Sequence, residues 1–131
     1  MSGEKNLNNL LKELQPVLNT GEYVFGTVSD FEKIGRTDTL FEFKEAEGIT
    51  FVLEKNKAQA LKLPYQFESA WITLKIHSSL EAVGLTAAFS TALTTHQIPC
   101  NVVAGYYHDH IFVATKEAYK ALEILTNLAQ K

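Results

Sequence analysis

The run from Ser78 to Thr115, SSLEAVGLTAAFSTALTTHQIPCNVVAGYYHDHIFVAT, constrains the fold more than any other part of the chain. Leu85, Ala88, Phe89 and Ala92 recur three or four residues apart, which places them on one face of a helix. Thr94, Thr95, His96 and Gln97 mark its polar end. Ile98 to Gly105 and His110 to Ala114 then read as strands joined by a turn at His108-Asp109. Upstream, from Phe67, a strand is predicted in which Trp71, Thr73 and Lys75 alternate with Ile72, Leu74 and Ile76. Downstream, Thr115 is a natural N-cap for a helix with an apolar stripe of Ala118, Leu122, Leu125 and Leu128. The second half therefore reads β-α-β-β-α.

The first half repeats the theme without a letter-for-letter match. Leu7, Leu10, Leu11 and Leu14 predict an amphipathic helix over Asn6 to Gln15, ended near Pro16. Asn19 to Glu22 is turn-like, and Tyr23 to Val28 is a strand in which Gly26 marks a bulge or a close backbone approach. Ser29 to Thr39 has charges, two glycines and no steady period, and reads as a long surface loop. Leu40, Phe41 and Phe43, then Ile49 to Leu53, form two strands around a turn at Glu47-Gly48. A short helix over Lys57 to Leu61 stops before Pro64. The order α-β-β-β-α feeds into the strand at Trp71, so the expected architecture is two similar units, tandem or intertwined, on one sheet.

Composition narrows the function. With 131 residues there is room for one ordinary domain or two half-size modules, but not for a catalytic domain plus a regulator. A net charge of −3 with scattered Lys and Arg argues against a nucleic-acid partner. The lone Cys100 and the absence of a leader pattern point to a reducing, cytoplasmic setting, and uncharged stretches such as Ala82 to Thr95 are too polar and too short to span a bilayer.

Candidate chemistry is sparse. His108 and His110 share a strand face, and with Asp109 and His77 they are the residues a metal-dependent enzyme would use. Zinc needs three or four converging ligands with supporting partners, so a polar hairpin with ordinary histidines is the expected reading and no metal or other cofactor is assigned. Cys100, after Pro99 at the start of a strand, behaves as a small hydrophobe. Glu45 and Glu47 flank a turn, where solvated charges are the rule. No catalytic residue is assigned, and the chain is read as a non-enzyme. Ser78 and Glu81 have the spacing of a capping box, and a helix beginning near them would offer N–H groups to a carboxylate. Tyr106 and Tyr107, adjacent on a strand, could wall a ligand or fill the core.

SSLEAVGLTAA, CNVVAGYYHDH and the upstream EAEGITFVL resemble the ACT domain family, in particular its small free-standing branch with two ACT-like halves. The resemblance covers nearly the whole chain from Tyr23. It implies an α+β, ferredoxin-like β-α-β-β-α-β sandwich, with residues 1–66 as an N-terminal ACT-like unit with leading helix and 67–131 as a C-terminal ACT domain. It also implies side-by-side pairing into a homo-oligomer and a small-molecule effector, an amino acid, held in a regulatory role where modules meet. Matched position by position, the ligand contacts implied are Ser78, Ser79, Val83, Gly84, Leu85 and Thr86 around the helix start, Asn101, Val102, Val103 and Ala104 on the facing strand, and Tyr106 beside it. The family's usual Pro-Gly is Val83-Gly84 here, which keeps the backbone role of the glycine. The alternative is a structural module that oligomerises without a ligand, through exposed sheet edges.

Overall fold

The computed structural model describes residues 6–76 and 84–129. The elements in chain order are α1 (Leu7–Glu13), β1 (Gln15–Leu18), β2 (Tyr23–Val28), β3 (Phe41–Lys44), β4 (Ile49–Glu54), α2 (Lys55–Ala60), β5 (Gln66–Lys75), α3 (Leu85–Thr95), β6 (Asn101–Ala104), β7 (Asp109–Ala114) and α4 (Ala118–Ala129). They form two compact units, Thr20–Ser69 and a second built from residues 6–19, 70–76 and 84–129. β5 gives its first four residues to one and its last six to the other.

In the unit Thr20–Ser69 the strand order is β3-β4-β2-β5. β2 and β4 pair antiparallel over six residues, from Tyr23 opposite Glu54 to Val28 opposite Ile49. Val24, Ile34, Phe51, Leu53, Ala58 and Leu63 make its core. Gly26 is the close approach expected: a Cβ there would lie 2.8 Å from Phe51 Cε2 and 2.9 Å from the Pro64 carbonyl oxygen. Where a ferredoxin-like unit has its first helix, this one has the loop from Ser29 to Leu40. Ile34, 3% exposed, pins that loop to the core. Arg36 stacks 3.7 Å over the Phe31 ring and grips both carboxylate oxygens of Glu42, at 2.9 and 2.5 Å.

The second unit has the order β1-β5-β7-β6, with α1, α3 and α4 packed on one face. Leu10, Leu14, Ile72, Leu74, Leu85, Phe89, Leu93, Ile111, Val113 and Leu125 are central to its core. The strand residues among them alternate, so Trp71, Thr73, His110 and Phe112 lie on the helix-free face.

Four expectations are corrected. The first helix ends at Glu13, and Gln15–Leu18 is a strand paired with Lys75 to Ile72. Pro16 is tolerated because β1 pairs on one side only, where a missing N–H costs no ladder bond. The hairpin turn is Gly105 to His108, closed by the Gly105 N–H donating to the His108 carbonyl at 2.9 Å, and Asp109 opens β7. Tyr106 and Tyr107 are therefore turn residues, 57% and 67% exposed, and neither fills the core. Thr115 begins a 3₁₀ turn through Glu117 instead of capping α4, and its hydroxyl is buried without a partner.

Candidate functional site

Gly84 precedes α3 in the left-handed conformation, φ 97° and ψ −15°, which glycine adopts without the Cβ clash of other residues. Glycine has no side chain with which to cap the helix, and no side-chain cap is formed among the described residues. Leu85 is 3% exposed and points into the core, so only its backbone is available to a ligand. Thr86 is exposed, and its carbonyl accepts the Ser90 hydroxyl at 2.6 Å. Ser78, Ser79 and Val83, together with His77 and Glu81, lie outside the described residues.

β6 is the outer strand of its unit. Asn101 and Val103 pair with Phe112 and His110, so they take the helix-free face; Val102 and Ala104 pair with Ile111 and Asp109 and take the helix face. Asn101, Val102 and Ala104 are exposed. Asn101 Nδ2 donates to the Phe112 carbonyl at 3.3 Å, which fixes that side chain along the strand. Tyr106 stands edge-on to Tyr107, ring centroids 5.1 Å apart. Among the described residues no hydrogen bond joins the α3 start to β6.

Asp109, which sequence reasoning placed in a turn and weighed only as a metal ligand, opens β7. It shares the helix face with Ile111 and Val113, is half-buried, and forms no ion pair among the described residues. Burial raises its carboxyl above the usual range, and His108 partly offsets that. His108 Nδ1 lies 3.3 Å from the Ile76 N–H at the end of β5.

His110 turns to β5 and His108 to Ile76 just beyond it. Trp71 Nε1–H donates to His110 Nδ1 at 3.0 Å, and Thr73 Oγ1 lies 3.1 Å from the same nitrogen. Among the described residues no three His, Cys, Asp or Glu side chains come together as metal ligands. Cys100 is half-buried against the core, and burial pushes its thiol up to about 11, far from a thiolate at neutral pH. β6 starts one residue after it and is mostly exposed. In the other unit a cavity of about 280 Å³ is lined by Gly21, Glu22, Glu54, Lys55 and Asn56. Its cation is already satisfied, with Lys55 Nζ 2.6 Å from Glu68 and 3.4 Å from Glu22.

No helix among the described residues is long and apolar enough to cross a membrane. Two family models, each an ACT domain, match residues 2–70 and 66–127. No curated protein matches the chain. Among solved structures, a Vibrio cholerae protein of unknown function and possible transport role is 47% identical, with 96% of this chain and 98% of that one covered and a TM-score of 0.86. The regulatory subunit of aspartate kinase from Thermus flavus shares the fold at 10% identity, with 86% and 95% covered and a TM-score of 0.65. Clostridium acetobutylicum aspartate kinase does so at 11% identity and a TM-score of 0.64, with 86% of this chain and 34% of that one covered. An antiparallel sheet carrying helices in two units, matched along its length by tandem family models, makes this chain a member of the ACT domain family.

Proposed function

We propose that the chain is a non-catalytic, cytoplasmic regulatory protein that binds a small effector, an amino acid, where its ACT modules pair in a homo-oligomer. The modules are 1–66 and 67–131 in chain order, with the leading helix and strand of the first packed on the second. The observation that carries the reading is that α3, in an ACT-family chain, starts on left-handed Gly84, with no side-chain cap among the described residues. The N–H groups of Leu85 and Thr86 suit an effector carboxylate. The resemblance adds Ser78, Ser79 and Val83, which lie outside the described residues, and Asn101, Val102, Val103, Ala104 and Tyr106 as further contacts. Asp109, beside Ala104 on the helix face, supplies the counter-charge for an ammonium group. A thermal-shift panel of amino acids tests this: at 100 times Kd, binding adds about 2.7 kcal/mol. A shift from one or a few amino acids, weakened in Asp109→Asn, supports it, and silence across the panel overturns it.

The exposed outer strand β6 and the paired tyrosines beyond it favour a second reading, an oligomerisation module with no ligand. A dimer in sedimentation, together with a silent panel, selects that reading.

A further inference from the structure

The helix-free face of β5 and β7 carries a connected polar chain. Asn19 Nδ2 donates to Thr73 Oγ1 at 2.9 Å, Thr73 Oγ1 lies 3.1 Å from His110 Nδ1, and Trp71 Nε1–H donates to that same Nδ1 at 3.0 Å. An indole nitrogen can only donate, so Nδ1 must present its lone pair and the ring proton sits on Nε2. The Asn19 N–H and Nδ2 also donate to the Trp71 carbonyl, at 2.9 and 3.2 Å. Asn19 and Trp71 flank the points where the chain leaves for the unit Thr20–Ser69 and returns from it. The chain thus ties the two ends of that insertion together.

We propose that Asn19, Trp71, Thr73 and His110 form a proton-operated clamp at this neck: neutral His110 holds the Trp71 indole, and a proton taken from solvent onto Nδ1 exchanges Trp71 for Thr73 as its partner. The exchange follows from donor and acceptor counts. A protonated Nδ1 faces the indole N–H donor to donor, whereas Thr73 Oγ1 keeps a lone pair for it after accepting from Asn19. Burial and the neighbouring His108 both lower the pKa of His110, so the clamp is closed at neutral pH and opens on acidification, below the ordinary histidine value of 6.5. The titratable groups around it are His108 and the tyrosines of the turn, Asp109 on its own strand, and Lys75 and Glu68 on β5; β1 and β6 contribute none. Glu68 is ion-paired with Lys55. This inference is independent of the effector reading.

The single tryptophan gives one indole N–H resonance, which reports the clamp directly. Between pH 8 and the acid limit of the folded state, that resonance is expected to titrate with a midpoint below 6.5. His110→Gln keeps an acceptor for Trp71 but cannot titrate, so its indole resonance stays flat. Thr73→Val removes the second partner and lowers the midpoint by about one unit, because a hydrogen bond to the charged form is lost. An indole resonance that does not titrate in the folded wild type overturns the clamp. So does the same titration in His110→Gln, or an unmoved midpoint in Thr73→Val.

Discussion

Gly84→Ala separates backbone strain from crowding at the start of α3. At φ 97° an L-residue brings its Cβ against the backbone, a cost of about 1–2 kcal/mol. The new Cβ would also lie 3.2 Å from Leu7 Cδ2, but that atom is the end of a flexible side chain and can give way cheaply. The expected loss is therefore about 1–2.5 kcal/mol, nearly all of it conformational. Urea denaturation reads this as a lower midpoint at unchanged slope; for a slope of about 2 kcal/mol/M the shift is about 0.5–1.2 M. Two further variants sharpen the test. Gly84→Asn should lose less than Gly84→Ala, because asparagine enters the left-handed region more readily. Leu7→Ala combined with Gly84→Ala should recover no more than about 0.5 kcal/mol relative to additivity. If Ala at 84 is neutral, or if truncating Leu7 restores the whole loss, the left-handed start is not what position 84 contributes.

Gly26→Ala should be worse, by about 3 kcal/mol, since the Pro64 carbonyl facing the new methyl is backbone and cannot step aside; calorimetry of the variant, and partial recovery with Phe51→Leu, check it. Ile34→Ala should cost about 2–4 kcal/mol and make the loop from Ser29 to Leu40 the first site of limited proteolysis, because its one fully buried anchor is gone. Asp109→Asn should stabilise the protein at pH 7. The raised carboxyl pKa means that folding penalises the ionised form above the folded value, and the penalty disappears once pH falls below the unfolded value near 3.8, so denaturation curves of variant and wild type should converge there.

The elements with a strong period are legible in the sequence. α3 and α4 announced themselves through apolar stripes, although in α4 the buried set is Ala118, Ala121, Ile124 and Leu125, one step round from the leucine stripe. β1 was hidden because QPVL is too short to alternate and contains a proline that mimics a helix stop. The hairpin turn was displaced because Tyr106 and Tyr107 have strand propensity while Gly105, the residue that makes the turn, was read as the strand's end. At the candidate site the left-handed start at Gly84 is marked in the sequence by the Gly-Leu motif. Asp109 is misplaced in the sequence reading through the displaced turn. Its signal was present in the alternation of Asp109, Ile111 and Val113 against His110 and Phe112, which puts a carboxylate on the apolar face.

The hidden strand β1 explains why polar groups cluster where they do. β1 has only four residues and pairs with β5 alone, so it brings few ladder bonds to hold residues 15–18 in place. Its register, Gln15 opposite Lys75 through Leu18 opposite Ile72, continues past the strand end to put Asn19 opposite Trp71. There one backbone and two side-chain donations from Asn19 to Trp71 and Thr73 extend the pairing, each worth about 0.5–1.5 kcal/mol net. Thr73 is 6% exposed, and a hydroxyl so buried must find partners; Asn19 and His110 are those partners. A short strand supplied from before the insertion thus requires a polar splice, and the splice ends on the one titratable group in it, His110. The histidine reads as an ordinary hairpin residue in sequence because the strand that gives it a task comes from the other end of the chain.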